Sequence, residues 1–240
     1  MIMYGASSVG KVRADNQDSY VLDTLDNGIC YAIVCDGMGG AKGGKTASLT
    51  AVNELSGAME KLSPDMSDNA LQSVLLTAID SVNNSKYTKS TSDKELEGMG
   101  TTLVAAVLVG DKMLVLNIGD SRCYIIRDDS AIRVTKDHSA VQLLVDSGLL
   151  TPSQARNHPN KNIITRALGV EQSVECDISV LQIKAGDKIL LCTDGITNYI
   201  DDLELPFEMM KSIETIPQRL IELANSRGGA DNSTVVVINI

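Results

Sequence analysis

The sequence has 240 residues, of which 43% are hydrophobic but only 3% are aromatic, and its formal net charge is −10. This length allows one large domain with an aliphatic core, and we expect residues 1–240 to form a single domain. The acidic charge argues against nucleic acid or an anionic membrane as a partner, because like charges repel. No stretch reads as a signal peptide or a membrane-spanning helix, so the sequence predicts a cytoplasmic protein.

Short apolar runs rich in Val and Ile, bounded by turn residues, predict β-strands, and apolar residues at helical spacing predict helices. In the first half, the pattern predicts a strand at 29–35, helices at 45–62 and 68–87, a polar loop at 85–98, and strands at 103–109, 113–118 and 123–126. In the second half, it predicts a helix at 139–147, another opening at Thr151-Pro152, a strand at 188–192, a helix at 217–225 and a strand at 234–240. Because the strands cluster instead of alternating strictly with helices, we expect an α+β fold with antiparallel sheets.

An aspartate stands beside one end of each of four predicted strands: Asp36, Asp120, Asp194 and Asp231. An Asp after a strand is usually part of a turn, and that explanation suffices for any one of them alone. Strand ends of a sheet can meet in space, however, and clustered carboxylates repel one another unless a cation compensates them. Ligation by oxygen atoms alone suits Mg²⁺ or Mn²⁺.

Two further features lie close to these aspartates. Gly37, Gly39 and Gly40 follow Asp36, which indicates backbone that approaches a ligand closely, so that a carbonyl oxygen could join the coordination. Arg13 precedes Asp18 by five residues and could reach a phosphate while the carboxylate faces a metal ion, since arginine binds phosphate through two parallel hydrogen bonds. In isolation, a solvated charged loop is the favoured interpretation of this second stretch.

These residues belong to a series of short motifs that together resemble the metal-dependent protein phosphatase family of the 2C type, and its small bacterial members in particular. In order, the motifs are Arg13–Asp18, Asp36-Gly37-Met38-Gly39-Gly40, Gly100-Thr101-Thr102, Gly119-Asp120-Ser121-Arg122, Asp137-His138-Ser139, Asn162-Ile163-Ile164-Thr165-Arg166-Ala167-Leu168-Gly169, Asp194-Gly195 and Asp231-Asn232-Ser233-Thr234. Each motif is weak alone, but the ordered set is highly specific.

The resemblance implies an αββα sandwich, in which two packed antiparallel sheets are flanked by helices and one end carries a two-metal site. The implied metal ligands are Asp36 as the bridge between both ions, the carbonyl of Gly37, Asp194, Asp231, and Asp18 acting mainly through water. Asp120 and Asp194 are similar to the pair that holds a third, weaker ion in the family. Arg13 would grip the substrate phosphate, and residues 140–160 resemble the flap beside the cleft.

The implied activity is hydrolysis of phosphoserine and phosphothreonine with Mn²⁺ or Mg²⁺, by attack of a hydroxide that bridges two ions. The implied partners are phosphorylated proteins, including a serine/threonine kinase and its substrates. A catalytically silent regulator of the same fold is the alternative, and it would lack a metal ligand that this chain retains. Met38 and Gln17 depart from the His and Glu of many members, which leaves open the group that protonates the leaving alkoxide.

Overall fold

The computed structural model describes the backbone of residues 1–240 and the side chains of residues 1–40 and 42–240. Two antiparallel sheets pack face to face. The first contains, in spatial order, β1 (Ile2–Ser8), β11 (Ser233–Asn239), β10 (Lys188–Cys192), β7 (Arg122–Arg127) and β8 (Ser130–Arg133). The second contains β2 (Asp18–Thr24), β3 (Cys30–Met38), β5 (Leu103–Val109), β6 (Lys112–Ile118) and β9 (Asp177–Gln182), with β4 (Gly100–Thr101) paired to the end of β3.

The central strands are apolar on both faces, and β3 illustrates why. Successive side chains of a strand point to opposite faces of its sheet. Cys30, Ala32 and Val34 therefore pack against the other sheet, in the layer between the two. Tyr31 and Ile33 point the other way and pack against helices. A strand buried on both sides needs an unbroken apolar run, which is the pattern seen in the sequence.

Helices cover both outer faces of the sandwich. On the second sheet lie α1 (Gly40–Met59) and α2 (Asp68–Ser92). On the first sheet lie α5 (Asp194–Thr197), α6 (Leu205–Met209) and α7 (Ile216–Ser226). The predicted α+β fold, an αββα sandwich, is confirmed. Within the described chain, the helices are all too short or too polar to cross a lipid bilayer.

Two short helices, α3 (Ala140–Asp146) and α4 (Pro152–Arg156), lie in the segment between β8 and β9. Both begin where the sequence predicts. The hydroxyl of Ser139 accepts from the backbone N–H of Gln142, and Thr151 forms a capping box with Gln154 ahead of the proline. Local capping hydrogen bonds therefore fix where each of these two helices begins.

The loop predicted at residues 85–98 is wrong. The helix α2 continues to Ser92, and a short 3-10 helix follows at Lys94–Leu96. The buried face of the last turns of α2 is polar, and the Asn83 side chain donates to the carbonyl of Glu171 at 3.0 Å. A helix anchored by hydrogen bonds lacks the apolar stripe on which the prediction depends.

Candidate active site

A cleft of about 440 Å³ opens at one end of the sandwich, where strand ends from both sheets meet. Its wall includes most of the residues singled out in the sequence, namely Arg13, Asp36, Gly37, Asp120, Asp194 and Asp231. Asp18 lies behind this wall and is only 2% exposed. The structure thus brings together residues from positions 13 to 231 of the chain.

Asp18 and Asp36 stand directly opposite each other on the paired strands β2 and β3. The hydroxyls of Thr193 and Thr234 donate to Asp18 Oδ2 at 3.0 and 2.7 Å. Asp18 Oδ1 is buried and has no hydrogen-bond partner among the described residues. Burial raises the pKa of Asp18 to about 7 although both hydroxyls favour the charged form.

Asp36 is held through its backbone by the Gly100-Thr101-Thr102 motif. Its N–H donates to Thr102 Oγ1 at 2.9 Å, and its carbonyl accepts from the N–H of Thr102 and the hydroxyl of Thr101, each at 2.9 Å. Strand β3 runs through Asp36 to Met38 and does not end before the aspartate. The side chain is therefore presented from a fully paired strand, which fixes its position.

The pKa of Asp36 lies well above its usual range, first because of burial and then because neighbouring carboxylates repel its charge. These neighbours are Asp18, Asp194, Asp120 and Asp231. Burial also raises the pKa of Asp194 to about 6, with Asp231 adding repulsion. For Asp120, burial and then the charge of Asp194 raise the pKa well above the ordinary value. The acidic groups share one volume, and Asp231 among them is paired with a cationic side chain, that of Arg13.

Gly37 packs where no side chain fits. A Cβ at this position would lie 2.1 Å from the carbonyl oxygen of Gly44 and 2.7 Å from that of Gln17. The start of α1 and the N-terminal loop both press against this point of β3. Glycine at position 37 therefore reflects close packing of three backbone segments beside the cleft.

The donor set fits a hard divalent cation. Asp194 Oδ2 accepts from Asn198 at 3.0 Å, whereas its Oδ1, like that of Asp18, is buried without a hydrogen-bond partner among the described residues. Across the part of the chain that the structure describes, no group of three or more acidic, histidine or cysteine side chains is close enough together to surround a metal ion. Mg²⁺ keeps several waters when protein-bound, so an open rim of carboxylates suits such an ion better than a closed cage does.

Arg13 stands at the mouth of the cleft and donates to Asp231 Oδ2 at 2.8 Å. The loop that carries it is braced by Asn232, a residue whose structural role the sequence did not reveal. The Asn232 side chain accepts from the N–H of Gln17 at 2.9 Å and donates to the carbonyls of Val9 and Asp15, each at 3.0 Å. One amide thus ties the N-terminal loop to the residues before β11.

Neither histidine lines the cleft. His138 is 8% exposed, and its ring Nδ1 accepts a hydrogen bond from the backbone N–H of Gly119. His158 Nδ1 accepts from the backbone N–H of Asn160 at 3.1 Å. Met38 does line the cleft, but its thioether carries no proton to donate.

A second pocket of about 470 Å³ adjoins the cleft. The two share Asp120, Asn162 and Asp194 in their walls. Residues of α3 and α4, including Val141 and Ala155, line the far side of this pocket. The segment 140–160 therefore borders the approach to the acidic cleft.

Comparison with known proteins agrees with this geometry. Residues 7–226 match the sequence model of the family described as Protein phosphatase 2C. The chain is 39% identical over 233 residues to the serine/threonine phosphatase stp of Listeria monocytogenes serotype 4b, an alignment covering 95% of this chain and 92% of the relative.

Solved structures give the same result. The fold matches the S. agalactiae serine/threonine phosphatase with a TM-score of 0.93 and 33% identity, covering 100% and 99% of the two chains. It also matches the catalytic domain of the serine/threonine protein phosphatase PstP in complex with two manganese ions, with a TM-score of 0.82, 34% identity and coverage of 98% and 96%.

The fold and cleft thus define an enzyme of the phosphatase class. The chain belongs to the protein phosphatase 2C family. Membership confirms the family predicted from the sequence, and it favours a catalytic protein over a silent regulator of the same fold.

Proposed function

We propose that this protein hydrolyses phosphoserine and phosphothreonine in other proteins, using Mn²⁺ or Mg²⁺. The observation that carries the proposal is the cluster of buried carboxylates at one cleft, two of them with a buried oxygen that has no partner among the described residues. The proposed ligands of two core ions are Asp18, Asp36, the carbonyl of Gly37, Asp194 and Asp231. The names of the relatives support the substrate class.

Divalent ions in this position would lower the pKa of a water molecule and neutralise charge on the phosphoryl group. The chain's own groups supply position and orientation. Asp36 faces the other acidic groups from the end of β3, so it is the proposed bridging ligand. Asp18, buried behind it, is proposed to act on the same ion, mainly through water.

Arg13 is the proposed phosphate-binding residue. Its guanidinium borders the cleft, and its side chain is 55% exposed, so it has room to turn from Asp231 toward a bound phosphoryl group. A guanidinium offers two parallel donors to phosphoryl oxygens, which both orients the ester and offsets the charge that develops on it. No step requires a covalent bond between the protein and phosphorus.

We further propose that Asp120 and Asp194 hold a third, more weakly bound ion. Both line the shared wall of the cleft and the adjoining pocket. The leaving alkoxide needs a proton, and Met38 cannot donate one. Water near these two carboxylates is the proposed proton source. The segment 140–160 is the proposed flap of a single catalytic domain spanning residues 1–240.

The proposed partners are a serine/threonine kinase and the proteins that it phosphorylates, in the cytoplasm. The relatives named as serine/threonine phosphatases support phosphoprotein substrates. The net charge of −10 supports the exclusion of nucleic acid and anionic membranes as partners.

The test is hydrolysis of a phosphothreonine peptide by the purified protein, with a nucleotide monophosphate and a phosphotyrosine peptide as competing substrates. We expect phosphate release from the phosphothreonine peptide in Mn²⁺, and none from the Asp36→Asn variant. Hydrolysis of the nucleotide alone would contradict the proposed substrate class.

A further inference from the structure

The turn before Asp120 has an unusual backbone. Gly119 adopts a φ of +100°, and a Cβ there would lie 2.7 Å from Thr102 Cγ2. Only glycine meets both conditions, but glycine by itself brings conformational freedom and no rigidity. The direction of the next side chain, Asp120, therefore depends on what holds the Gly119 peptide groups in place.

His138 holds both polar backbone groups of Gly119. Its backbone N–H donates to the Gly119 carbonyl at 2.9 Å, and its ring Nδ1 accepts from the Gly119 N–H at 3.1 Å. On the other side of the turn, Ser121 shares a hydrogen bond of 2.8 Å with Thr102, the residue that also accepts from the N–H of Asp36. Both sequence neighbours of Asp120, Gly119 and Ser121, are thus held by hydrogen bonds.

The contact to Gly119 sets the tautomer of His138. A ring nitrogen that accepts a hydrogen bond carries no proton, so in the neutral ring the proton lies on Nε2. Nε2 lies 3.2 Å from both Asp177 Oδ2 and Arg166 Nη1. Because Nδ1 is the accepting nitrogen, Nε2 donates its proton to the Asp177 carboxylate. Asp177 Oδ1 in turn accepts from Arg166 at 2.9 Å. Arg166 and Asp177 therefore orient the ring, as outer partners do for histidines in metal sites.

The same residue contacts the cleft wall. The carbonyl of His138 accepts from the N–H of Thr165 at 2.8 Å, and Ile164, the preceding residue, lines the cleft. One buried histidine therefore contacts both the turn before Asp120 and the segment that carries Ile164 into the cleft wall. His138 is not among the residues of the apolar layer between the sheets.

We propose that His138 is a positioning residue for Asp120, with Asp177 and Arg166 holding its ring. This inference rests on the proposed function, in which Asp120 binds an ion needed for turnover. Through the Gly119 peptide, the ring sets the direction of the carboxylate. The residue acts through the backbone and touches neither substrate nor ion.

A matched pair of substitutions separates positioning from packing. In His138→Asn, the side-chain oxygen can occupy the place of Nδ1 and accept from Gly119, whereas in His138→Gln the polar atoms lie nearer the place of Nε2. Both variants remove the ring and leave similar space. His158→Asn and His158→Gln form the control pair, since that histidine contacts neither the cleft nor Gly119.

The first readout is hydrogen exchange of the Gly119 amide in the metal-free protein. We expect exchange about tenfold faster in His138→Gln and nearly unchanged in His138→Asn, because one hydrogen bond is lost only in the former. Equal acceleration in both variants, with equal falls in melting temperature, would overturn positioning in favour of packing. If neither His138 variant folds, Asp177→Ala at a half-exposed site carries the test, and an unchanged Gly119 exchange rate there overturns the proposal.

The second readout is turnover of a phosphothreonine peptide and the Mn²⁺ concentration for half activation, with Asp120→Ala measured in parallel. We expect His138→Gln to lower kcat at unchanged KM and to need more Mn²⁺, while His138→Asn stays near wild type. If Asp120→Ala is inactive and His138→Gln matches wild type, this inference fails and the proposed function stands. If Asp120→Ala matches wild type, the role proposed for Asp120 fails, and the inference fails with it.

Discussion

Arg13 and Asp231, 218 positions apart in the sequence, form an ion pair of 2.8 Å at the mouth of the cleft. One is the proposed phosphate-binding residue and the other a proposed metal ligand, so the same carboxylate oxygen faces both a guanidinium and the site of an ion. An ion bound by Asp231 would take over that oxygen and release guanidinium donors toward the substrate. Metal binding and phosphate binding would thereby be coupled through one ion pair.

The first prediction concerns this pair. Arg13→Ala should lower kcat/KM for a phosphothreonine peptide. The loss of transition-state stabilisation should be about 2–4 kcal/mol, by analogy with other donors that act in a transition state. Arg13→Lys should recover part of the loss, because it restores the charge but not the two parallel donors. Metal stoichiometry, measured by equilibrium dialysis, should equal that of wild type in both variants. An unchanged kcat/KM in Arg13→Ala would show that Arg13 is only a surface charge and does not bind the phosphate.

The second prediction concerns the ligands. Asp36→Asn should be the most damaging single change, because the proposed bridge serves both core ions, and Asp194→Asn and Asp231→Asn should follow it. Turnover is to be measured over a Mn²⁺ titration, so that weak binding is distinguished from lost chemistry. Asp15→Asn, at the cleft rim, is the matched control and should remain active. Wild-type turnover of Asp36→Asn at saturating Mn²⁺ would refute the assignment.

Metal removal gives the third prediction. Dialysis against EDTA should abolish peptide hydrolysis, and Mn²⁺ or Mg²⁺ should restore it, because the proposed nucleophile comes from water whose pKa a metal ion lowers. Circular dichroism before and after dialysis controls for unfolding. Full activity in the metal-free, folded protein would exclude the two-metal mechanism.

The fourth prediction uses two substrates to define Asp120. In Asp120→Ala, the fold and two tightly bound ions should persist, while phosphothreonine peptide hydrolysis falls far more than p-nitrophenyl phosphate hydrolysis. The phenolate leaves without much acid assistance, whereas the alkoxide of threonine requires a proton. Equal losses on both substrates would place Asp120 in the core site or in the structural framework.

The fifth prediction concerns the pH dependence of the metal-free protein. Burial raises the pKa of Asp18 to about 7 and of Asp194 to about 6, compared with about 3.9 in an unfolded chain. Between these values the folded state binds more protons than the unfolded state, so the free energy of unfolding falls as pH rises from about 4 to about 7. Thermal melts in EDTA across this window should show the decline.

Excess Mn²⁺ should reverse that trend, since a cation replaces the protons lost from the carboxylates. The Asp18→Asn variant is the control, because it removes one titrating group and should flatten the curve in EDTA. A metal-free protein whose melting temperature rises steadily over the same range would contradict the raised pKa values.

How far the sequence predicts the fold depends on where each strand lies in its sheet. The six strands predicted from apolar runs correspond to β3, β5, β6, β7, β10 and β11, which are the interior strands. The edge strands β1, β2, β8 and β9 were missed. An edge strand is only partly buried, and every residue of Ile2–Ser8 is either exposed or half-buried. Its composition is therefore too polar for a signal based on continuous apolar runs.

The candidate site residues were easier to predict than the edge strands, because most of the aspartates lie next to interior strands. Asp18 is the exception, since it opens the missed strand β2, and only its spacing from Arg13 and the resemblance to a family pointed to it. Hydrogen-bond partners from distant segments were beyond reach. The hydroxyls of Thr193 and Thr234 on Asp18, and the clamp of His138 on Gly119, depend on three-dimensional proximity that no local pattern encodes.

The position of β11 has a consequence for synthesis of the protein. This strand lies between β1 and β10, and Asp231 and Asn232 immediately precede it. A nascent chain that has been synthesised past Asp194 contains every proposed carboxylate ligand except Asp231. It still lacks the interior strand β11 and Asn232, the residue that braces the Arg13 loop. Because a domain generally folds as a unit, these parts come together only after residue 239 has left the ribosome. A ribosome-bound fragment that ends before Asp231 lacks this ligand and all of β11, and we therefore expect it to be inactive.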